Sequence, residues 1–324
     1  MQAPTWPARG RVVRPANLTL CNSIKHTTYI AAASSSTPTA AQNILFAQPL
    51  TNTGNTCFLN AVVQLLRTIC RRLRMAALVK SMCPLSQLLF ANSTNSYNRI
   101  AGRHPLWNTL AKGEQHDPHE LILLLLNDDH KSDACMHKSC SQDTCLATKL
   151  RKVLAIQFQT VLQCTEHRCP WHLSPLAIPQ IDVPVTVRKG QLRDLLQSFK
   201  APDFFHGHDA YACPTCQGLV QQTCEVQPLG QVLLVQMKRF EYARGVGEKI
   251  STHVAFQREL HIEDVEYRFI GMIEHQSTRT DRGHYVAYVE DSTLMCCNDK
   301  SITQLSWADV KRKEAYLLAY IRIN

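Results

Sequence analysis

Four positions in this sequence could do covalent chemistry together: a cysteine, a distant histidine, and an asparagine–aspartate pair. Cys57 ends the run Asn52-Thr53-Gly54-Asn55-Thr56-Cys57, directly ahead of an amphipathic stretch. A thiol at a helix N-terminus faces the positive end of the peptide dipoles, which favours the nucleophilic thiolate. Gly54 permits the tight approach turn, and the Asn52 amide beside the Cys57 backbone N–H would make two donors for a developing oxyanion. By itself such a cysteine reads more often as a buried structural thiol. Far downstream, Gly283-His284-Tyr285-Val286-Ala287-Tyr288 is a strand-like segment led by a histidine, followed by Asn298 and Asp299. An imidazole can take the thiol proton and return it to a leaving amine. A third group must fix its tautomer, and Asn298 or Asp299 could do so from a neighbouring strand or turn.

A second set of residues has the spacing of metal ligands. Cys213-Pro214-Thr215-Cys216 is a CxxC knuckle, which supplies two thiolates to a tetrahedral zinc. The remaining pair must come from Cys164, His167, Cys169 and His172, as either Cys-x-x-His or as the two cysteines. A site with four protein ligands is closed, hence structural. Cys135, His137, Cys140 and Cys145 form a Cys/His-rich stretch without a clear knuckle and read as part of a surface loop spanning 131–148 with its cysteines reduced, ahead of a short helical segment. Cys296 and Cys297, adjacent on a strand, should point to opposite faces.

The elements that must position these groups follow from periodicity. Phe58, Val62, Leu65, Leu66, Ile69 and Leu73 recur at three- and four-residue steps and predict a helix starting near Cys57. A second helix should begin at Asp117, with Asp117 as cap, Pro118 at the first helical position and Glu120 completing a capping-box-like pattern before the aliphatic run 121–126. Short β-branched or aromatic runs at 181–187, 232–237, 267–273, 284–289 and 316–323 predict strands. Helices first and strands later argue for an α+β fold. Residues 1–45, rich in Ala, Ser, Thr and Pro, read as a flexible extension.

Several blocks together resemble the ubiquitin-specific proteases, a papain-like family of deubiquitinating enzymes. The blocks are LTNTGNTCFLNAVVQLL, GEQHDPHELILLLL, LLVQMKRF followed by Lys249-Ile250, YRFIGMIEHQSTRTDRGHYVAYVEDSTLMCCNDKSI and EAYLLAY, in the family's order over about 48–322. The resemblance implies a papain-like cysteine protease fold with a helical thumb (about 50–150), zinc-binding fingers (about 155–235) and a β-sheet palm within a catalytic domain at 46–324. It implies hydrolysis of isopeptide or peptide bonds after the C-terminal Gly-Gly of ubiquitin. Cys57 would be the nucleophile, His284 the general base and acid, Asn52 the oxyanion donor and Asn298 the third triad member, with Asp299 supplying charge. Tyr285 and His275 would line the channel for the two glycines. For zinc, the family pattern favours Cys169 with His172 beside Cys213 and Cys216, with Cys164 and His167 as the alternative first pair. A catalytically inactive ubiquitin-binding scaffold of the same fold is the rival reading.

Composition narrows the class. The 324 residues are 45% hydrophobic and 19% charged, which excludes general disorder and allows one large or two ordinary domains. The longest aliphatic run, 121–126, is far below the roughly 20 residues of a membrane span. With no secretory stretch at the N-terminus, the expectation is a monomeric intracellular protein, cytoplasmic or nuclear, whose 14 cysteines stay reduced. The formal charge of +9 is scattered apart from Arg67, Arg71, Arg72 and Arg74, a group that reads as a solvated helix face. Without interleaved aromatics it does not make a nucleic-acid site. The resemblance implies ubiquitin and ubiquitinated proteins as partners, and the expectation is no nucleic acid, no membrane and no catalytic cofactor.

Overall fold

Hydrophobic periodicity sorts the chain into a helical half and a strand half. The computed structural model describes residues 47–75, 83–91, 93–127, 144–173, 178–199, 201, 203–204, 212–228, 230–243, 246–262, 264–279 and 282–323. The predicted extension at 1–45, and Cys135, His137 and Cys140, lie outside these residues. The helical half holds α1 (Cys57–Arg72), α2 (Pro84–Leu89), α3 (Thr94–Ala101), α4 (Pro118–Leu125) and α5 (Leu146–Leu154). There follow β1 (Ile156–Cys164), β2 (His172–Leu173), β3 (Ile178–Gln180), β4 (Val183–Thr186), β5 (Gly190–Gln191), α6 (Leu192–Phe199), β6 (Asp203–Phe204) and β7 (Val220–Pro228). The chain continues through β8 (Val232–Lys238), β9 (Phe240–Ala243), β10 (Val246–Lys249), β11 (Val254–Ala255), β12 (Glu259–Ile262) and β13 (Val265–Gln276). It closes with β14 (His284–Glu290), β15 (Leu294–Asn298), β16 (Ser301–Gln304), α7 (Trp307–Val310) and β17 (Ala315–Ile323).

The large sheet runs β16-β15-β14-β13-β17-β8-β4, with β12 added on β13. Its pairings are antiparallel except β4 with β8. Alternation along its strands feeds two cores. Tyr285, Ala287 and Val289 join the helices α1–α5 on one face, while Val286 and Tyr288 pack on the other with Leu192, Leu195 and Val310. Cys297 and Cys296 divide the same way, Cys297 into the helical core and Cys296 against the opposite one.

The helix α1 lies against β13 and β14 and is buried from Cys57 through Cys70. A Cβ on Gly271 would come within 2.7 Å of Leu65 Cδ1, so the glycine allows this close approach. The expected solvated arginine face is only partly present. Arg71 and Arg72 pair with Asp291 at the surface. Arg67, 4% exposed, is instead buried under Leu89, whose carbonyl accepts from its Nε at 2.6 Å. The helix α4 begins as its sequence predicts, with Asp117 Oδ1 accepting from the N–H groups of His119 (2.7 Å) and Glu120 (3.2 Å). Among the described residues no helix is long and apolar enough to cross a membrane.

Candidate active site

The segment entering α1 is folded around one side chain. Asn52 Oδ1 accepts from the backbone N–H groups of Gly54 (3.2 Å) and Thr56 (3.0 Å) and from Thr56 Oγ1 (3.3 Å). Gly54 and Asn55 sit in the left-handed region, φ +103° and +54°, which gives the tight turn. These bonds commit the carbonyl end of the amide and leave Nδ2 facing outward, where it donates to Asp299 Oδ2 at 3.0 Å. Cys57 opens α1, and Thr56 makes no side-chain cap. The first N–H groups of the helix are therefore not claimed by a side-chain cap.

The second half comes from the sheet. His284 opens β14, and its Nε2 lies 2.7 Å from Asn298 Oδ1 at the end of β15 and 4.0 Å from Asp299 Oδ2. That assignment leaves Nδ1 for the hydrogen bond His284 makes with Cys57. The His284 pKa rises to about 9, chiefly through that bond, against the effect of burial and with help from Asn298 and the charges of Cys57 and Asp299. Burial pushes the Cys57 thiol up. The His284 hydrogen bond, a Tyr285 backbone hydrogen bond and the imidazolium charge outweigh it, so the thiol titrates below its ordinary value. The two groups favour a thiolate–imidazolium pair.

Cys57, His284, Asn298, Asp299 and Asn52 thus meet in one place, although the chain separates Asn52 from Asp299 by 247 positions. Tyr285 and His275 are also adjacent, with ring centroids 4.7 Å apart. His275 is 2% exposed, and burial, Lys249 and His284 lower its pKa to about 4, so it is neutral near pH 7.

Sequence reasoning missed Gln115. Its Nε2 donates to the Gly283 carbonyl (2.6 Å) and approaches Cys57 Sγ (3.5 Å), while its Oε1 accepts from Gly283 N (2.9 Å). One side chain therefore clamps the residue before His284 and touches the sulfur. A Cβ on Gly283 would fall 2.0 Å from His275 Nε2, so only glycine fits there. The available signal was a lone amide two residues ahead of the Asp117 cap, in a segment with no periodicity of its own.

The sulfur atoms of Cys164, Cys169, Cys213 and Cys216 lie within 4.8 Å of one another. Contacts of 3.5 Å join Cys164 to Cys216 and Cys169 to Cys213. Zinc–sulfur bonds of about 2.3 Å place the corners of a tetrahedron about 3.8 Å apart, so this donor set fits zinc. The expected pairing with His172, and the alternative with His167, are corrected. Both histidines are exposed, and His172 Nδ1 turns to the Pro170 carbonyl at 3.3 Å. The cause is strand register. The pairing of Cys164 with Val220 sets the turn after β1 beside the knuckle before β7, and His172 lies on β2 with its side chain exposed. Cys145 lies apart from this cluster, buried with its sulfur 3.9 Å from that of Cys83.

A family model described as ubiquitin carboxyl-terminal hydrolase matches residues 48–320. The chain is 24% identical over 318 residues to ubiquitin carboxyl-terminal hydrolase 25 of Arabidopsis thaliana, covering 85% of this chain and 47% of the relative. It is 26% identical over 341 residues to ubiquitin carboxyl-terminal hydrolase 22 of Bos taurus, covering 84% of this chain and 66% of that one. It therefore spans about half to two thirds of the length of these relatives. Among solved structures, the SAGA DUB module Ubp8/Sgf11/Sus1/Sgf73 bound to monoubiquitin matches with a TM-score of 0.72 at 21% identity, over 90% of this chain and 72% of the matched one. The same module bound to ubiquitin aldehyde matches with a TM-score of 0.71 at 20% identity, over 90% and 72%. These two likenesses establish the shared fold.

Proposed function

The chain belongs to the ubiquitin carboxyl-terminal hydrolase family, and from that membership we propose that it is a thiol-dependent deubiquitinase cleaving isopeptide or peptide bonds after the C-terminal Gly-Gly of ubiquitin. The observation that carries this reading is the Cys57–His284 pair, with the thiol titrating low and the imidazole high.

Cys57 sulfur attacks the carbonyl carbon of the terminal glycine. The oxyanion is received by the second N–H of Asn52 Nδ2 and by the free N–H groups opening α1, whose positions need no reorganisation. The imidazolium of His284 gives its proton to the leaving lysine or backbone amine, and a thioester to ubiquitin remains. Neutral His284 then draws a proton from water, which attacks the thioester and frees Cys57. Asn298 holds the ring tautomer through its carbonyl oxygen. It cannot offset an imidazolium charge, and the Asp299 carboxylate, 4.0 Å from the ring, contributes that part. His275 and Tyr285 are 2% and 5% exposed, so they pack behind the site rather than line an open channel for the diglycine.

Cys164, Cys169, Cys213 and Cys216 would hold a zinc ion, which supplies a cross-link between the β1 and β7 turns. The site is remote from the chemistry in sequence and closed by four thiolates. The thumb, fingers and palm correspond in this reading to α1–α5, to the β1-centred sheet and to the large sheet. A ubiquitin-binding scaffold without turnover is separated from an enzyme by one assay, hydrolysis of a ubiquitin C-terminal aminocoumarin amide. Turnover that disappears in Cys57→Ala with ubiquitin binding retained is the expected result. Undiminished turnover by that variant refutes the nucleophile assignment.

A further inference from the structure

A polar chain behind the site leads from the helical core to the Asp299 carboxylate. Asn60 lies one turn after Cys57 on the same side of α1 and is 3% exposed. Its Nδ2 donates to Asp299 Oδ1 at 2.7 Å, and its Oδ1 accepts from Tyr97 Oη at 2.8 Å. Tyr97 is itself 1% exposed, with the Arg67 guanidinium 5.6 Å over its ring. The direction of each bond is fixed by donor chemistry. A carboxylate only accepts, so the amide N–H must face Asp299 and its oxygen must take the tyrosine proton.

The two oxygens of Asp299 are thereby given different tasks. Oδ1 is held from the buried side by Asn60, and Oδ2 faces Asn52 Nδ2 and His284 Nε2. Asp299 also occupies the left-handed region at φ +49°, in the turn joining β15 to β16, and its carbonyl accepts from Leu50 N at 2.9 Å. A residue in that backbone region keeps its place only where its surroundings hold it.

We propose that Asn60, oriented by Tyr97, is a positioning residue that fixes the Asp299 carboxylate so that one oxygen holds the Asn52 amide at the oxyanion site and faces His284. The inference rests on the deubiquitinase reading. Asn60 touches no reacting atom and acts through Asp299 alone. Without it the carboxylate can turn, the Asn52 Nδ2 loses its acceptor while its Oδ1 stays bonded, and the imidazolium loses part of its counter-charge.

The test combines a kinetic cycle with a spectroscopic readout that needs no ubiquitin. Asn60→Ala should lower kcat for ubiquitin aminocoumarin amide about tenfold with KM within about twofold. In an Asp299→Ala background the same substitution should change kcat by less than about twofold, because the two act as one unit. In histidine-labelled protein, the His284 ring titration followed by NMR should move down by about half a pH unit in Asn60→Ala. Tyr97→Phe should move both readouts in the same direction by less, and carries the test if Asn60→Ala does not fold. Multiplicative losses in the double variant, or an unmoved His284 titration, would overturn the relay. If the wild-type protein hydrolyses no ubiquitin amide, the deubiquitinase reading falls while the His284 titration still decides the relay.

Discussion

At the scale of single residues, the site works through an inversion of ordinary acidities. A thiol normally releases its proton above an imidazole; here Cys57 titrates low and His284 rises to about 9. Below the Cys57 transition the nucleophile is a thiol, and as pH rises through about 9 the imidazolium that protonates the leaving amine is progressively lost. A profile of kcat/KM against pH, which reports the free enzyme's groups, should therefore be bell-shaped with its alkaline limb near pH 9, and His284→Ala should abolish the bell along with the activity. Removing the oxyanion donor in Asn52→Ala should cost about 10²–10³ in kcat, the usual toll for one such donor. Cys57, His284, Asn298 and Asp299 were legible because their runs resemble the family's cysteine and histidine boxes, where spacing alone left Cys57 to a structural reading. Gln115 and Asn60 were not. Their partners, Gly283 and Asp299, lie 168 and 239 positions away, and an amide side chain carries no periodic signature.

At the scale of elements, two devices bring the reacting groups together. One is the Gln115 side chain, which reaches from the approach to α4 and grips both backbone polar groups of Gly283. Gln115→Ala should loosen the His284 end of β14 and lower kcat about tenfold with little change in thermal stability, measured by steady-state kinetics beside a melting curve. The other is strand register, which joins the turns after β1 and before β7 into a four-cysteine cluster. Elemental analysis should find one zinc per chain. A chelator, or Cys213→Ser, should lower the melting temperature while leaving Cys57 open to alkylation. The helix at Cys57 could be read from periodicity, the one at Asp117 from its cap, and β4, β8, β13, β14 and β17 from β-branched and aromatic runs, whereas no such run predicted β12, β15 or β16 of the same sheet. The first zinc pair could not. The sequence offers Cys164, His167, Cys169 and His172 at compatible spacings, and only the β1–β7 and β1–β2 pairings choose among them.

At the scale of the whole molecule, one sheet serves two cores and carries the histidine strand over the cysteine helix. His275 is buried in this arrangement between Phe240 and Tyr285. Its pKa falls to about 4 in the folded chain, so the stability it contributes is complete above the unfolded value of about 6.5 and lost as pH falls toward 4. His275→Phe should flatten the loss of melting temperature over that interval. The difference should be on the order of 3 kcal/mol at its largest. The family's fold was legible from five ordered sequence blocks, whereas the depth at which His275 sits was not, because burial of a histidine depends on aromatic neighbours from other strands. The most direct test of the account is reaction with ubiquitin bearing a C-terminal electrophile, with the adduct mapped by peptide mass spectrometry. A single adduct on Cys57, absent from Cys57→Ala and strongly slowed in His284→Ala, is the predicted result. An unlabelled Cys57, or labelling that persists at the wild-type rate without His284, would contradict it.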